Sequence, residues 1–294
     1  MSDLPATEAL DPATAEIDHL DDTELARVLI ETHRTAVDAA LAAADEIARA
    51  TTLVVEAIRR GGRVVLVGAG TSGRLAVLDA SELPPTFGLA PGVVEGRIAG
   101  GDVALRHAVE GAEDDAGAGA RAVEDVGAND VVIGISASGG APFVRAALLA
   151  ARERGAATIG ITNATNGALA RDADVGIVAA TGAEPIQGST RMRAGTAQKI
   201  VLNAISTGAM IRLGKTYGNR MVDVVATNAK LRARSERLVR DLAGETDARA
   251  LLDRAGGSVK TAVVMARREV DRAEAERLLR QADGRLARVI GDRA

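Results

Sequence analysis

The sequence predicts an α/β protein in which helices flank a parallel sheet, and three observations support this fold class. Short apolar runs alternate with helix-length segments between about residues 63 and 213. Strands and helices of these lengths, in this alternation, are typical of parallel strands joined by right-handed crossovers. Glycine-rich and hydroxyl-rich turns directly follow several of the apolar runs. Because ligands bind at the carboxyl ends of such strands, these turns are the first candidates for a functional site.

Helices are predicted ahead of the sheet. Residues 1–20 are polar and acidic and are predicted to form an extended arm. The Asp-Asp-Thr segment at residues 21–23 precedes an apolar periodic stretch, which indicates a capped helix start. A second helix is predicted over residues 35–60, because its apolar residues recur at helical spacing and the glycine pair at 61–62 follows it.

The sheet region is predicted to contain five strands and four helices. The strands are expected at residues 63–68, 93–98, 130–135, 157–161 and 174–178. The helices are expected at residues 73–81, 103–114, 141–154 and 190–213. From about residue 220 the pattern is helical throughout. We therefore expect an N-terminal arm and helices over 1–54, a sheet domain over 55–219 and a small helical C-terminal subdomain over 220–294.

Composition excludes several classes of function. The chain of 294 residues has a net charge of -4, which argues against nucleic-acid binding, and its one Tyr, two Phe and no Trp offer few rings for base stacking. With no cysteine and three scattered histidines, neither a disulfide framework nor a zinc site is expected. No stretch has the apolar length of a membrane span or the pattern of a signal peptide. We expect a cytoplasmic protein with no metal and no membrane partner.

Three loops share the features of an anion site. They are residues 68–73 (Gly-Ala-Gly-Thr-Ser-Gly), 136–140 (Ser-Ala-Ser-Gly-Gly) and 188–190 (Gly-Ser-Thr). Each places hydroxyl groups and free backbone amides at a predicted helix start, where a phosphate binds well. Three such loops in one α/β unit indicate a single phosphorylated, polyhydroxylated ligand. The candidate phosphate-binding residues are Thr71, Ser72, Ser136, Ser138, Ser189 and Thr190.

A dinucleotide-binding site is the competing interpretation of the first loop. Gly68, Gly70 and Gly73 match the glycine spacing of that fingerprint, and Glu95 is available as the ribose-binding acid. Against it, the first loop carries two hydroxyl side chains, and the later serine loops would have no role in binding a pyrophosphate.

Two acidic positions are candidates for acid–base chemistry. Glu82 precedes a proline pair at 84–85, which is predicted to stop the helix and hold the carboxylate rigidly. The second is the cluster at 110–115, which contains Glu110 and Glu113. The alternative for both is an ordinary solvated glutamate. Lys199 is predicted to be a surface or structural residue rather than a ligand contact.

Long stretches around these residues resemble the N-acetylmuramic acid 6-phosphate etherases. That family contains a sugar isomerase (SIS) domain, so the resemblance implies a SIS-type parallel sheet in a flavodoxin-like three-layer sandwich. It also implies a homodimer whose helical C-terminal part covers the site. The resemblance runs from about Thr7 to the C-terminus. Its most specific segments are residues 68–75, 78–86, 98–102, 108–114, 188–199 and 218–228.

The resemblance also implies an activity and residue roles. The family cleaves the D-lactyl ether at C3 of the phosphorylated amino sugar, which yields N-acetylglucosamine 6-phosphate and D-lactate without a cofactor. By this resemblance Glu82 is the catalytic proton donor and Glu113 is the second catalytic carboxylate, although the two roles are open to exchange. Glu110 and Lys260 are expected to contact the substrate. A sugar-phosphate-sensing regulator similar to the glucokinase regulatory protein, and a phosphosugar isomerase, are the alternatives.

Overall fold

The protein is described by a computed structural model that covers residues 5–226, 228–244 and 247–291. The chain divides into two compact units. The first comprises residues 1–81 and 92–206, and the second comprises residues 82–91 and 207–294. The division into domains 1–54, 55–219 and 220–294 stays a prediction.

A five-stranded parallel sheet forms the centre of the first unit, as predicted. Its strands are β1 (Val64–Gly68), β2 (Val94–Ile98), β3 (Val131–Ile135), β4 (Ala157–Thr162) and β5 (Val175–Val178). The strand order is β2-β1-β3-β4-β5, and all neighbours are parallel. Each strand lies within one residue of the bounds expected from the sequence.

The chain reverses its direction of progress across the sheet between β1 and β3. From β1 it moves outward to β2 and then returns to β3 on the other side of β1. Gly68 and Ile135, the last residues of β1 and β3, pair directly. The glycine-rich loop after β1 and the serine loop after β3 therefore start side by side, at the kind of switch point where α/β sheets bind ligands. Both strands are buried at every residue, which accounts for their uninterrupted apolar sequences.

Eight helices begin in the first unit among its described residues. They are α1 (Asp22–Glu31), α2 (Arg34–Ala42), α3 (Ala44–Arg59), α4 (Gly70–Phe87), α5 (Ala116–Arg121), α6 (Pro142–Glu153), α7 (Ala168–Asp172) and α8 (Arg193–Arg212). The predicted cap of α1 is confirmed, since Asp21 accepts hydrogen bonds from the amides of Thr23 and Glu24. The single helix expected over 35–60 is two helices, because Ala43 leaves helical geometry.

The prediction of an extended N-terminal arm was wrong. Its described part forms three 3₁₀ turns, at Ala6–Glu8, Pro12–Thr14 and Ile17–His19. Thr7 and Thr14 are buried, so the arm packs against the first unit instead of extending into solvent.

The prediction that the proline pair after Glu82 stops the helix was also wrong. Pro84 and Pro85 lie inside α4, which continues to Phe87. A proline removes an amide donor but keeps its carbonyl, and the Pro84 carbonyl accepts from the Gly88 amide at 3.0 Å. The helix therefore runs for a final turn beyond the point where the proline signal placed its end.

The helix predicted over residues 103–114 does not form. Two 3₁₀ turns, Asp102–Leu105 and Ala112–Asp114, occupy this segment. Gly111 has a left-handed backbone (φ 70°), which separates the second turn from the residues before it. Glu113 therefore lies on a short turn after a glycine instead of near the end of a helix.

The second unit is mainly helical and has its own apolar core. Its helices are α9 (Ala229–Ala243), α10 (Ala248–Arg254), α11 (Val259–Arg268), α12 (Arg272–Gln281) and α13 (Leu286–Ile290). Two short antiparallel strands that were not predicted, β6 (Thr216–Tyr217) and β7 (Arg220–Met221), form a hairpin. Val263, Leu286 and Val239 are fully enclosed in the core. No helix in the described ranges of either unit is long and apolar enough to span a lipid bilayer.

Candidate active site

A cleft of about 260 Å³ opens at the sheet's switch point in the first unit. It contains side chains from all three predicted phosphate loops, from the acidic segment and from the N-terminal arm. The predicted site residues that line it are Thr71, Ser72, Glu113, Ser136, Ser138 and Thr190. Glu8 lines the same cleft, although no sequence motif marked it and its arm was expected to be extended.

The first loop presents backbone amides to this cleft. Helix α4 begins at Gly70, and the Gly73 amide donates to the Ala69 carbonyl at 3.2 Å. The amides of Thr71 and Ser72 come before that bond, so they are among the helix-start donors that have no partner within the helix. These amides and the half-buried Thr71 hydroxyl supply donors of the kind that a phosphate requires.

The Ser72 hydroxyl is engaged inside the protein. Its Oγ donates to Gln198 Oε1 at 2.8 Å, and Gln198 Nε2 donates to Asn163 Oδ1 at 2.9 Å. Asn163 Nδ2 in turn donates to the Ala179 carbonyl at 2.9 Å. Ser72 and both amide side chains are buried. This chain connects the first loop to α8 and to the ends of β4 and β5, so Ser72 contributes its amide to the cleft and its hydroxyl to the framework.

The second loop leaves hydroxyl protons available. Gly139 donates its amide to Ser136 Oγ at 3.1 Å, and Gly140 donates its amide to Ser138 Oγ at 3.1 Å. The two serine oxygens lie 3.5 Å apart. Because each hydroxyl accepts a hydrogen bond from the backbone, each remains able to donate its own proton toward an anion in the cleft.

The third loop differs from the prediction of a helix start with free amides. Glu184 has 0% of its surface exposed, and its carboxylate accepts from the amides of Arg193 and Ala194 at 2.8 and 2.9 Å. The start of α8 is therefore capped by an internal carboxylate and is not open to a phosphate. Thr190 still lines the cleft, whereas Ser189, among the described residues, is not part of its lining.

Replacing Glu184 with alanine is expected to destabilise the protein by about 3 kcal/mol, because two buried amides would lose a charged acceptor. Glu184→Gln keeps one acceptor oxygen and should lose less. Denaturant unfolding measures both, with the exposed Glu153→Ala as the matched control. A Glu184→Ala protein within about 0.5 kcal/mol of the wild type would contradict the capping role.

The acidic segment places one of its two predicted residues in the cleft. Glu113 lines the cleft and is exposed there. Glu110 is also exposed, but it lies before the turn and is not among the described lining residues. Asp115, the last acidic residue of the segment, caps α5 by accepting from the Ala118 amide at 2.8 Å. Of this segment, Glu113 is thus the carboxylate placed to meet a ligand held by the loops.

Glu82 and Lys260 belong to the second unit. Glu82 is exposed on the later part of α4. Lys260 is 6% exposed, and its Nζ donates to Asp223 Oδ2 at 2.7 Å, an oxygen that also lies 3.3 Å from Lys215 Nζ. Burial lowers the pKa of Lys260, and Asp223 opposes that shift. Lys260 therefore has an internal partner, and its predicted contact with substrate stays a prediction.

A buried polar group between α4 and α8 was missed by the sequence analysis. Asp79 is 5% exposed, and its Oδ1 accepts from Asn203 Nδ2 at 2.6 Å and from Ser206 Oγ at 3.3 Å. Lys199 donates to Asn203, and its assignment as a surface or structural residue stays a prediction. Burial raises the pKa of Asp79, whereas these hydrogen bonds and the charge of Lys199 lower it.

The stability of the protein should depend on pH through Asp79. Because its pKa is raised in the folded state, the native protein binds more protons than the unfolded chain, and stability falls as pH rises above about 3.8. Asp79→Asn keeps an acceptor for Asn203 and removes the buried charge. We expect the unfolding temperature of Asp79→Asn minus that of the wild type to be more positive at pH 7 than at pH 4. A difference that is larger at pH 4 than at pH 7 would contradict this account of Asp79.

Comparison with known proteins identifies the family. A protein named N-acetylmuramic acid 6-phosphate etherase from Escherichia fergusonii is 45% identical over 97% of this chain and 97% of its own. One of the same name from Deinococcus radiodurans is 47% identical over 99% of this chain and 97% of its own. The chain belongs to the N-acetylmuramic acid 6-phosphate etherase family. The resemblance read from the sequence motifs is confirmed.

The fold of this etherase-family chain is that of a SIS domain with added helices. The SIS domain model matches residues 108–207, and the model of the glucokinase regulatory protein N-terminal SIS domain matches residues 46–152. A solved phosphoheptose isomerase from Francisella tularensis superposes with a TM-score of 0.50 at 21% identity. It covers 65% of this chain and 98% of its own, which agrees with a shared fold.

Proposed function

We propose that this chain is a carbon–oxygen lyase that cleaves the D-lactyl ether of N-acetylmuramic acid 6-phosphate. The products are N-acetylglucosamine 6-phosphate and D-lactate, and the reaction serves the recycling of cell-wall amino sugars. The observation that carries the proposal is the cleft of the first unit, where the predicted phosphate donors and the carboxylate of Glu113 occur together. The curated relatives that bear this name match the chain over 97–99% of its length.

In the proposed mechanism the loops hold the 6-phosphate and two carboxylates act at the other end of the sugar. Thr71, Ser136, Ser138 and Thr190 donate hydroxyl protons to the phosphate, and the Ser72 amide assists. Ser189, Glu110 and Lys260 are further proposed contacts. The aldehyde of the open-chain sugar acidifies the C2 proton, which a carboxylate removes. The C3–O bond then breaks, lactate leaves with a proton from the other carboxylate, and water adds to the unsaturated aldehyde at C3.

We assign Glu82 as the acid for the departing lactate and Glu113 as the base at C2. The chemistry requires that one carboxyl group is protonated while the other is ionised at the start of the cycle. Proton transfer alone completes the cycle, so atoms and charges balance without an oxidant or a reductant. We propose that no metal or redox cofactor takes part.

The proposal is tested by incubating the purified protein with N-acetylmuramic acid 6-phosphate and measuring free D-lactate enzymatically. We expect stoichiometric D-lactate and N-acetylglucosamine 6-phosphate. A sugar-phosphate-sensing regulator would bind the ligand without releasing lactate, and a phosphosugar isomerase would interconvert an aldose and a ketose. Either outcome would replace the etherase assignment, and a nicotinamide-dependent absorbance change would restore the dinucleotide interpretation.

A cytoplasmic homodimer is the proposed working form. Ile30, Val37 and Leu41 are 72%, 55% and 71% exposed in the single chain, and their grouping on the consecutive helices α1 and α2 supports a subunit contact there. A phosphorylated sugar carries charge and does not diffuse across membranes, which supports a cytoplasmic site of action. Light scattering should give about twice the chain mass of 30.1 kDa, and a mass of one chain would contradict the dimer.

A further inference from the structure

The described part of the N-terminal arm is bonded to the loop before α8 and to the first residue of α8. Gln187 Nε2 donates to the backbone carbonyl of Glu8 at 2.9 Å. Asp11 forms an ion pair with Arg193 at 2.8 Å, and the two side chains are 14% and 10% exposed. Buried pairs of this kind hold a segment in one position, because separating them would leave a charge without a partner. These contacts thus hold the arm in place in the first unit.

Two further residues of the arm are buried in the first unit. Thr14 Oγ1 donates to the Pro185 carbonyl at 2.9 Å in a buried position, and Thr7 has 0% of its surface exposed. Thr7 immediately precedes Glu8, and the Glu8 backbone carbonyl is itself bonded to Gln187. Contacts of the arm before and after Glu8 in the sequence therefore hold the segment that presents the Glu8 carboxylate to the cleft.

The Glu8 carboxylate lies beside the third phosphate loop. A side chain at Gly188 would bring its Cβ within 3.0 Å of Glu8 Oε2, and Gly188 has a left-handed backbone (φ 72°). Glycine at this position therefore leaves room for the carboxylate. Within the described parts of the chain, no donor bonds to the Glu8 carboxylate, although that side chain lines the cleft. Its oxygens remain free to accept hydrogen bonds from a ligand.

A carboxylate in this position repels a phosphate dianion but suits a sugar hydroxyl. Two unit charges of the same sign several ångströms apart repel each other even in a solvated cleft. A hydroxyl donating to a carboxylate makes a charge-assisted hydrogen bond, which is stronger than a bond between neutral groups. The group that meets Glu8 is therefore expected to be a hydroxyl of the ligand's carbon chain.

We propose that Glu8 is a substrate-binding residue that accepts a hydrogen bond from a sugar hydroxyl and so favours a sugar phosphate over inorganic phosphate. The proposal rests on the proposed function for the identity of the sugar. It adds a carboxylate supplied by the N-terminal arm to the two that are assigned to the chemistry. The alternative is that Glu8 acts only in packing. The two hypotheses predict different effects of Glu8 substitutions on the binding of a sugar phosphate and of inorganic phosphate.

The test compares Glu8→Gln and Glu8→Ala with Glu16→Gln, an exposed glutamate in the same arm. Calorimetry measures the binding of N-acetylglucosamine 6-phosphate and of inorganic phosphate to each protein. We expect both Glu8 variants to bind the sugar phosphate about tenfold more weakly. Inorganic phosphate should bind equally well or up to about threefold more tightly, because a negative charge has been removed. Glu16→Gln should match the wild type for both ligands.

Two results would overturn the role of Glu8. If both ligands bind more weakly by the same factor, Glu8 only holds the loop in place. If neither affinity changes, Glu8 does not contact the sugar. Glu8→Gln is nearly isosteric, so it provides the measurement if Glu8→Ala folds poorly. Because the readout is binding, it is separate from the proposed function, which fails only if the wild type releases no D-lactate.

Discussion

Glu82→Gln is expected to lower the rate of D-lactate release by about 10²- to 10⁴-fold, the usual contribution of a positioned general acid. Lactate is a poor leaving group as an alkoxide, and a carboxylic acid relieves that by donating a proton as the C3–O bond breaks. A carboxamide has nearly the same shape and cannot supply that proton at neutral pH. Because Glu82 is exposed, the substitution should leave the unfolding temperature unchanged. The measurement is the single-turnover rate of D-lactate release.

The control for Glu82 is the same chemical change at an exposed site that is not part of the cleft. Glu124→Gln alters an exposed glutamate in the first unit and is expected to keep the full wild-type rate. A Glu82→Gln protein that releases lactate at the wild-type rate would remove Glu82 from the mechanism. Another acid would then have to protonate the departing lactate.

Glu113→Gln is expected to lower lactate release by a similar factor, for a different reason. Glu113 lines the cleft with the phosphate loops and is assigned as the base that removes the C2 proton. An amide nitrogen or oxygen is far less basic than a carboxylate, so the first step of the elimination should stop. The substrate should still bind, since the phosphate donors are intact, and its affinity measured by calorimetry should change by less than about threefold.

Proton exchange at C2 separates the two roles. When substrate is incubated in D₂O, a base at C2 exchanges that hydrogen for deuterium, whether or not lactate leaves. We expect Glu82→Gln to retain exchange and Glu113→Gln to lose it. The opposite pattern would mean that the two glutamates have exchanged roles. Exchange in both variants at the wild-type rate would show that neither is the base.

Much of the fold was predictable because its signals are local. The strands β1 and β3 have unbroken apolar sequences, and a strand covered on both faces requires them. The loops that follow them have hydroxyls next to glycines, and the structure brings both into one cleft. Parallel order places the ends of neighbouring strands at the same edge, so the sequence alone predicted that these loops meet.

The missed features depend on tertiary contacts that have no local signal. Glu184 resembles a loop glutamate in the sequence, yet it caps α8 because the fold places it against two amides. Glu8 was assigned to an extended arm, because only packing shows that Thr7 is enclosed. Pro84 and Pro85 gave a strong stop signal, yet α4 continues through them to Phe87 even though each proline removes one intrahelical donor.

The origin of the new atoms in the product tests the elimination most directly. With the wild-type protein in H₂¹⁸O and D₂O, we expect N-acetylglucosamine 6-phosphate to carry one ¹⁸O at C3 and one deuterium at C2. The released D-lactate should contain no ¹⁸O from solvent at its C2 hydroxyl. Solvent oxygen in that lactate hydroxyl, with none at C3 of the sugar, would mean that the other side of the ether breaks and would contradict the proposed mechanism.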